Sequence, residues 1–271
     1  MSGVAARAAP TETMTQRLIK TLLASTCMCL CLLERSLAGE FVVSPTGLDL
    51  APTSRSGAIT VRNDGQEKLG FQLEALEWRQ DADGKDEYVE TQELLFFPKL
   101  MSIQPGEEAL VRVGTKTPVV SVEKSYRLFI QELPAPSQPG DQSESAGKSA
   151  QVKFLIRFGA PVFVAPAAPR DGLFVEDAGM VKGAISLRAR NSGNRHQVLQ
   201  GVRLRGTDAT GAEVFAVTLA DRYLLAGAAK RFSASVPPAS CARLTALSIE
   251  VTTDRLSTSQ KLDVDPRMCP Q

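Results

Sequence analysis

Apolar and polar residues alternate with a period of two along most of the chain after residue 40. The alternation is clearest in Tyr126–Glu132 and in Val152–Phe158. A period of two is typical of a β-strand with one buried face. Runs of Asn, Asp, Gly and Pro bound these segments, as in Asn63–Gly65 and Asp81–Gly84, and favour tight turns. Because no long segment sustains a helical period, the pattern predicts an all-β protein.

The strand pattern occurs twice, on either side of a proline-rich stretch. The first set of predicted strands is Phe41–Leu50, Ala58–Arg62, Phe71–Trp78, Leu94–Phe97, Ala109–Val113, Tyr126–Glu132 and Val152–Val164. The second set is Leu173–Glu176, Ala184–Arg190, Gln197–Arg205, Glu213–Leu219, Lys230–Val236, Leu244–Thr252 and Gln260–Val264. Short strands at this spacing predict two tandem immunoglobulin-like β-sandwich domains.

The boundary between the two domains is placed at a stiff linker. Pro166 and Pro169 follow the last strand of the first set, and proline fixes φ and removes a backbone donor. We therefore predict domains at 39–165 and 166–271. Ala135–Ala150 is polar, small and without apolar periodicity, so we expect a mobile loop before the strand that starts at Val152.

The first 38 residues are predicted to be a signal peptide. Arg17 and Lys20 precede an uncharged run from Thr21 to Leu33, which is too short to span a bilayer as a helix. Small residues at Ser36 and Ala38 suit cleavage after Ala38. Met14 is an alternative start to Met1, and an uncleaved anchor is the alternative to a cleaved leader. With the leader removed, we expect an exported chain without a membrane span.

Charge and cysteine content narrow the classes of function. Lys and Arg total 31 against 30 Asp and Glu, so the chain lacks the basic excess that nucleic-acid binding usually needs. Three of the five cysteines lie in the leader, and Cys241 and Cys269 remain. An even pair in an exported protein predicts a disulfide.

Catalytic and metal-binding patterns are missing from the sequence. His196 is the single histidine, and its position in a turn at Asn191–His196 predicts a solvated side chain rather than a catalytic base. One histidine and a paired cysteine set cannot supply a zinc or copper site. The carboxylates near Asp81 and Glu87 lack EF-hand spacing and indicate a solvated hairpin turn. We predict neither an enzyme nor a cofactor or metal.

The segment Val152–Phe158 has two interpretations. Its even positions Val152, Phe154, Ile156 and Phe158 share one face, while Lys153 and Arg157 lie on the other. The apolar face is either part of the core of the first domain or a sheet edge offered to a guest. The residues alone leave both open.

A resemblance to a known family bears on this choice. The order of Gln104–Glu107, Tyr126–Pro134 and the alternating strand that ends at Pro161–Pro166 resembles the periplasmic pilus (fimbrial) assembly chaperones. In the second half, Asn191–Asn194 and Tyr223–Gly227 are similar to the C-terminal domain of that family.

The resemblance implies donor-strand complementation in the periplasm. A pilin subunit lacks the last strand of its sandwich, and the chaperone adds its own G1 strand to the open edge. The matching strand here provides Val152, Phe154, Ile156 and Phe158 as subunit-facing residues. An outer-membrane usher would then receive the subunit, and no ATP or metal is implied. An exposed apolar edge also invites self-association of the free protein.

Two family features are absent at the matching positions. The basic residues that hold the subunit's C-terminal carboxylate would fall on Gly47 and Pro161, neither of which is charged. Arg157 is our first candidate to replace them, with Lys153, Arg55 and Arg62 as the others. Glu123 matches the acidic member of an interdomain ion pair, but its basic partner would fall on Ala165. These departures indicate the divergent, archaic-type branch.

Two other classes of function remain open at this stage. One is an exported adhesion or binding module of tandem immunoglobulin-like domains, which would show no preference for incomplete pilins. The other is an exported β-sandwich enzyme, which the single histidine disfavours.

Overall fold

Every second side chain of the long strands is buried. In the strand that contains Tyr126, Leu128 and Ile130, these residues are inaccessible to solvent, whereas Arg127 and Phe129 between them are partly exposed. Alternation of this kind arises because successive side chains of a strand point to opposite faces of the sheet. A computed structural model describes residues 41–134 and 154–270 of the chain.

Ten strands precede the proline-rich stretch. They are β1 (Phe41–Ser44), β2 (Leu48–Leu50), β3 (Ser56–Asn63), β4 (Leu69–Gln80), β5 (Asp86–Glu90), β6 (Leu94–Phe97), β7 (Leu100–Ile103), β8 (Glu108–Thr115), β9 (Lys124–Leu133) and β10 (Arg157–Val164). One sheet has the order β1-β3-β8-β6, and the other has the order β2-β10-β9-β4-β5 with β7 also paired to β4. Their facing sides enclose one apolar core.

Eight strands follow. They are β11 (Leu173–Val181), β12 (Ala184–Asn191), β13 (Gln197–Thr207), β14 (Glu213–Leu219), β15 (Tyr223–Leu224), β16 (Ala229–Ser235), β17 (Ala246–Thr253) and β18 (Ser257–Asp263). The sheets β11-β12-β16 and β14-β13-β17-β18 enclose a second core, and β15 pairs with β13. The prediction of an all-β chain with two successive sandwiches is confirmed. The exact boundary between 165 and 166 stays a prediction, within the stretch that separates β10 from β11.

The predicted strand Phe41–Leu50 is wrong as a single element. β1 pairs antiparallel with β3 in one sheet, whereas β2 pairs parallel with β10 in the other. The chain crosses between the sheets at Pro45–Gly47, after a cis Ser44–Pro45 peptide bond. A proline cannot donate to a ladder, so strand pairing stops there and the chain leaves the first sheet.

The short strands β5, β7 and β15 and the two helical turns were not predicted from the sequence. β5 is a mostly exposed edge strand, and its charged sequence hides the alternation that marks a half-buried strand. Asp81 does form the predicted turn, since its Oδ1 accepts hydrogen bonds from the N–H groups of Asp83 and Lys85. The short helix α1 (Pro238–Cys241) starts with proline in its first turn, and a 3₁₀ turn covers Pro266–Met268.

The predicted disulfide is present between Cys241 and Cys269. Both cysteines are buried in the core of the second sandwich, and they lie 28 positions apart in the sequence. The bond ties the C-terminal 3₁₀ turn to α1. A cross-link of this kind stabilises the fold mainly by restricting the unfolded chain.

The two sandwiches meet through buried polar and aromatic contacts. Glu123 directly precedes β9. Its Oε1 accepts a hydrogen bond from the backbone N–H of His196 at 2.8 Å, and the same oxygen lies 2.9 Å from Nδ1 of the His196 ring. The His196 ring stacks on Phe163 of β10, with ring centroids 3.6 Å apart. Trp78 and Leu225 pack beside Phe163 in the same interdomain cluster.

The prediction that His196 is a solvated turn residue is therefore wrong. Only 7% of the residue is exposed, because the first sandwich covers the turn that holds it. Glu123 does take part in an interdomain contact, as the resemblance implied, but its partner is His196 rather than residue 165. Single-sequence turn signals could not reveal this burial, since the covering surface comes from a distant part of the chain.

A first prediction concerns the disulfide. We expect Cys241→Ala/Cys269→Ala to lower the free energy of unfolding by about 3 kcal/mol, because the unfolded chain regains the entropy of an open loop. Urea denaturation of the oxidised wild type and the double variant measures the difference, with the reduced wild type as a control. Equal unfolding free energies for oxidised wild type and variant would contradict it.

A second prediction concerns the interdomain contact. Glu123→Ala leaves the buried His196 N–H without an acceptor, and we expect a loss of about 1–3 kcal/mol in the free energy of unfolding. Glu123→Gln keeps an acceptor oxygen and is expected to lose less. Denaturant titration of the three proteins tests this order, which fails if Glu123→Ala unfolds like the wild type.

Candidate functional site: the open edge of β10

β10 pairs with a neighbouring strand along its whole length at one edge, but only at its C-terminal end at the other edge. On one side it pairs antiparallel with β9, from Arg157 opposite Gln131 to Val164 opposite Lys124. On the other side β2 pairs with Val162–Val164 only. Among the described residues, no strand pairs with Arg157–Pro161 on this second side, so this part of β10 is a free sheet edge.

The backbone groups that face the free edge follow from the hydrogen-bond pattern. The N–H of Glu132 donates to Ile156 O (2.9 Å), so residue 156 points its backbone groups toward β9. The N–H of Ala165 donates to Leu50 O (2.8 Å), so residue 165 points the other way. Because these directions alternate along a strand, the N–H and C=O groups of Arg157 and Gly159 face the free edge.

The predicted subunit-facing residues differ in their surroundings. Phe158 is half-buried and packs on the core of the first sandwich. Ile156 is 40% exposed and Phe154 is 83% exposed, and both precede the start of β10. The predicted strand Val152–Phe158 therefore begins later than expected, at Arg157. Val152, Lys153 and the predicted mobile loop Ala135–Ala150 lie outside the described residues.

Glu132 holds the residue that precedes the strand. Its backbone N–H donates to Ile156 O, and its buried carboxylate accepts from the N–H of Ile156 at 3.4 Å. This double contact sets the position of Ile156 beside β9. This role could not be predicted from the sequence, because a glutamate at a core-facing position of a strand is ordinarily only an exception to the alternation.

The candidate anchor Arg157 has partners in the first sandwich. Its Nη2 lies 2.9 Å from Oε2 of Glu74, and its guanidinium carbon lies 3.8 Å above the ring of Phe129. Arg55 donates to the carbonyl of Thr117, and Arg62 pairs with Asp64. Each of these three arginines therefore has an internal partner.

Gly47 and Pro161 lie against each other. A Cβ atom added to Gly47 would come within 2.8 Å of Cγ of Pro161, so any larger residue at 47 must displace the proline ring. The two positions that the resemblance assigns to a basic anchor are thus neighbours in space, as an anchor would need. Here they form a close backbone contact without charge, and this contact marks the end of the free edge.

The outward face of β10 and β9 is lined by aromatic and cationic groups. Arg127 lies opposite Pro161, with its guanidinium carbon 3.8 Å above the ring of Trp78. Its Nη1 donates to Gly159 O at 3.0 Å. Sequence reasoning missed Arg127, because its neighbours come from β4 and β10 and no local signal reveals them.

Ionised groups stabilise the start of β9. Lys124 and Tyr126 both donate to the carboxylate of Glu93, at 2.7 and 2.6 Å. These hydrogen bonds lower the pKa of Glu93, that of Lys124 having the larger effect. Burial, followed by the hydrogen bond to Glu93, raises the pKa of the Tyr126 hydroxyl. The group holds β9 in place beside the segment that precedes β6.

The described residues contain neither a cluster of possible metal ligands nor a helix suited to span a membrane. Within 41–134 and 154–270, no group of three His, Cys, Asp or Glu side chains is arranged to hold a metal ion. No helix in the same ranges has the length and apolar character needed to cross a bilayer.

Solved structures share this arrangement of two sandwiches. A chain of the chaperone–tip adhesion subunit complex CsuC–CsuE, from the archaic chaperone-usher Csu pili of Acinetobacter baumannii, is 18% identical with a TM-score of 0.54. The match covers 82% of this chain and 98% of that chain. A chain of the SafA pilin–SafB chaperone complex of Salmonella enterica is 14% identical, with a TM-score of 0.51 and coverage of 84% and 98%. The class 5 fimbriae chaperone CfaA is 13% identical, with a TM-score of 0.51 and coverage of 83% and 99%. These likenesses show a common fold of two immunoglobulin-like sandwiches.

Sequence comparison places the first sandwich in a family. No curated protein sequence matches the chain. Residues 40–170, however, match the profile of the PapD N-terminal domain of the pili and flagellar-assembly chaperones. The first sandwich is therefore a PapD N-terminal domain of the pili and flagellar-assembly chaperone type.

Proposed function

We propose that this protein is a periplasmic chaperone that binds a pilus or fimbrial subunit by adding β10 to an open edge of the subunit's sheet. The single observation that carries the proposal is the free edge of β10, with Phe154 and Ile156 exposed beside it. The family to which the first sandwich belongs supports the same conclusion.

The chemistry of the edge suits a guest that lacks a strand. Arg157 and Gly159 offer backbone donors and acceptors toward the missing neighbour, so an incoming strand is held by main-chain hydrogen bonds. On the core-facing side, Phe158 fills the protein's own core, while Ile156 and Phe154 extend the same apolar row beyond it. These two side chains are therefore free to enter the core of the guest.

Burial of the exposed side chains supplies affinity. A fully buried Phe or Ile contributes about 1.5–3 kcal/mol relative to its exposed state. Phe154 is the more exposed of the two and has more surface to bury. We propose Val152, which continues the row in the sequence, as a third guest-facing residue. Phe158 is the fourth, through the part of its half-buried side chain that the core leaves exposed.

The end of the free edge sets where guest pairing stops. Pro161 has no N–H to donate, and β2 occupies the edge from Val162 onward. The close contact between Gly47 and Pro161 fills the space next to this point. A guest strand thus pairs with β10 before residue 161.

We further propose that the loaded protein delivers its subunit to an outer-membrane usher and needs no ATP, metal or other cofactor. The predicted signal peptide and the disulfide suit an oxidising, extracytoplasmic compartment. The departures at Gly47 and Pro161 support a place in the archaic-type branch.

A third prediction tests the guest-facing row. We expect the tagged wild type to co-purify from the periplasm with small sandwich subunits, and Phe154→Asp/Ile156→Asp to lose them, because charges cannot enter an apolar groove. The matched control is Phe174→Asp/Val181→Asp, which alters a phenylalanine and an aliphatic residue exposed on β11 of the second sandwich. Mass spectrometry of the eluates measures the recovery.

The outcomes separate the candidate functions. Loss of subunits from the β10 variant but not from the β11 variant supports strand donation. Equal recovery with all three proteins would contradict the proposed face. A folded wild type that recovers no subunit would favour the adhesion-module interpretation.

A fourth prediction tests Arg157 as the anchor of the guest's C-terminal carboxylate, with Lys153 as the second candidate. If Arg157 binds that carboxylate, Arg157→Ala raises the dissociation constant of the recovered subunit about tenfold, the value of one charge-assisted hydrogen bond. Glu74→Gln frees Arg157 from its internal partner and is expected to leave binding equal or tighter. Unchanged binding by Arg157→Ala would remove this residue from the site.

A further inference from the structure

Arg127 reaches from β9 across the outward face of β10 to the free edge. Its Nη1 donates to Gly159 O at 3.0 Å. The hydrogen-bond alternation along β10 directs this same carbonyl away from β9, toward the side where no described strand pairs. Arg127 therefore occupies an acceptor that an added strand would use.

The path of the Arg127 side chain depends on its neighbours. The guanidinium carbon lies 3.8 Å above the ring of Trp78 and 5.4 Å from the ring centre of Tyr223 in the second sandwich. Gly159 leaves the outward face of β10 low enough to cross, since a Cβ there would lie 3.0 Å from Cε1 of Phe129 and 3.8 Å from Cδ of Arg127. The stacking of Arg127 on Trp78 and the lack of a side chain at Gly159 thus bring the Arg127 N–H donor to the free edge.

Free sheet edges are sites of unwanted pairing. A row of unpaired N–H and C=O groups is a template for any strand, and charged groups at an edge are one device that blunts it. Arg127 places a cation directly on a carbonyl of this row. Arg157 does not do so, because its guanidinium is directed to Glu74.

We propose that Arg127 caps the Gly159 carbonyl in the free protein and yields it to an N–H of the guest strand, so that it limits pairing at this edge until a guest displaces it. The role rests on the proposed function, because it regulates the same edge. The displaced guanidinium keeps its contact with Trp78, so capping and release need only a movement of the end of the side chain.

Self-association of the purified protein tests the cap without a guest. Arg127→Met retains a long apolar side chain over Trp78 but removes the donor. We expect this variant to self-associate with a dissociation constant about fivefold lower than the wild type, which corresponds to about 1 kcal/mol for one hydrogen bond. Sedimentation velocity over a concentration series measures the constant, and thermal unfolding checks that the variant is folded.

Arg222→Met is the matched control. Arg222 also lies over the ring of Tyr223, at 5.2 Å, but belongs to the second sandwich and has no hydrogen bond to the edge of β10. Arg222→Met therefore removes the same charge as Arg127→Met and a similar contact with an aromatic ring. We expect it to associate like the wild type.

Amide hydrogen exchange locates the new contact. In the associated Arg127→Met protein, the N–H groups of Arg157 and Gly159 are expected to exchange more slowly than in its monomer. Adding Phe154→Asp/Ile156→Asp to this variant is expected to restore the monomer.

Three results would overturn the proposal: equal association of wild type and Arg127→Met, an equal gain in Arg222→Met, or slowed exchange away from the edge. These experiments use only the chain itself, whereas the co-purification above depends on a subunit. A failure of either proposal is therefore distinguishable from a failure of the other.

Discussion

The incomplete pairing of β10 gives the first sandwich both a buried strand and an exposed sheet edge. The strand is paired with β9 throughout but with β2 only from Val162 onward. At its paired end, Val162 and Val164 are buried in the core of the first sandwich. At its open end, no strand of the described residues pairs with the backbone on one side. One strand therefore both anchors the domain and exposes an edge.

The outward face of the same strand connects the two sandwiches. Phe163 stacks on His196, and Glu123 accepts hydrogen bonds from the histidine that it faces. Gln80 adds hydrogen bonds to backbone groups of Tyr223 and Leu225. Because these contacts are buried and directional, they hold the second sandwich at a defined place beside the paired end of β10.

An open edge is useful to a chaperone and hazardous to a free protein. The apolar residues Phe154 and Ile156 and the unpaired backbone groups, which we propose to bind a guest, also favour pairing with other strands. Glu132 holds the residue before the strand, and Arg127 covers one carbonyl of the edge. Both are polar side chains of β9, the strand that β10 is already paired with, so the edge is controlled from inside its own domain.

Local pattern accounts for what the sequence determined by itself. The alternation in Tyr126–Glu132 and the turn residues between strands were sufficient for the all-β class and two sandwiches, since burial of one face imposes a period of two. The two cysteines that follow the predicted leader were sufficient to predict the disulfide. The sequence also showed the apolar row Phe154, Ile156 and Phe158. Its two interpretations, core of the first domain or edge offered to a guest, differ only in which residues pack against the row.

Tertiary structure decided everything that depends on a distant neighbour. The crossing of the chain between sheets at Pro45–Gly47 depends on β2 finding β10, which is more than a hundred residues away in the sequence. His196 is buried because Glu123 and Phe163 of the other sandwich cover it. Arg127 meets Gly159 because the register of β9 and β10 brings them together. Long-range pairing and packing set these contacts, and a single sequence carries no local signal for them.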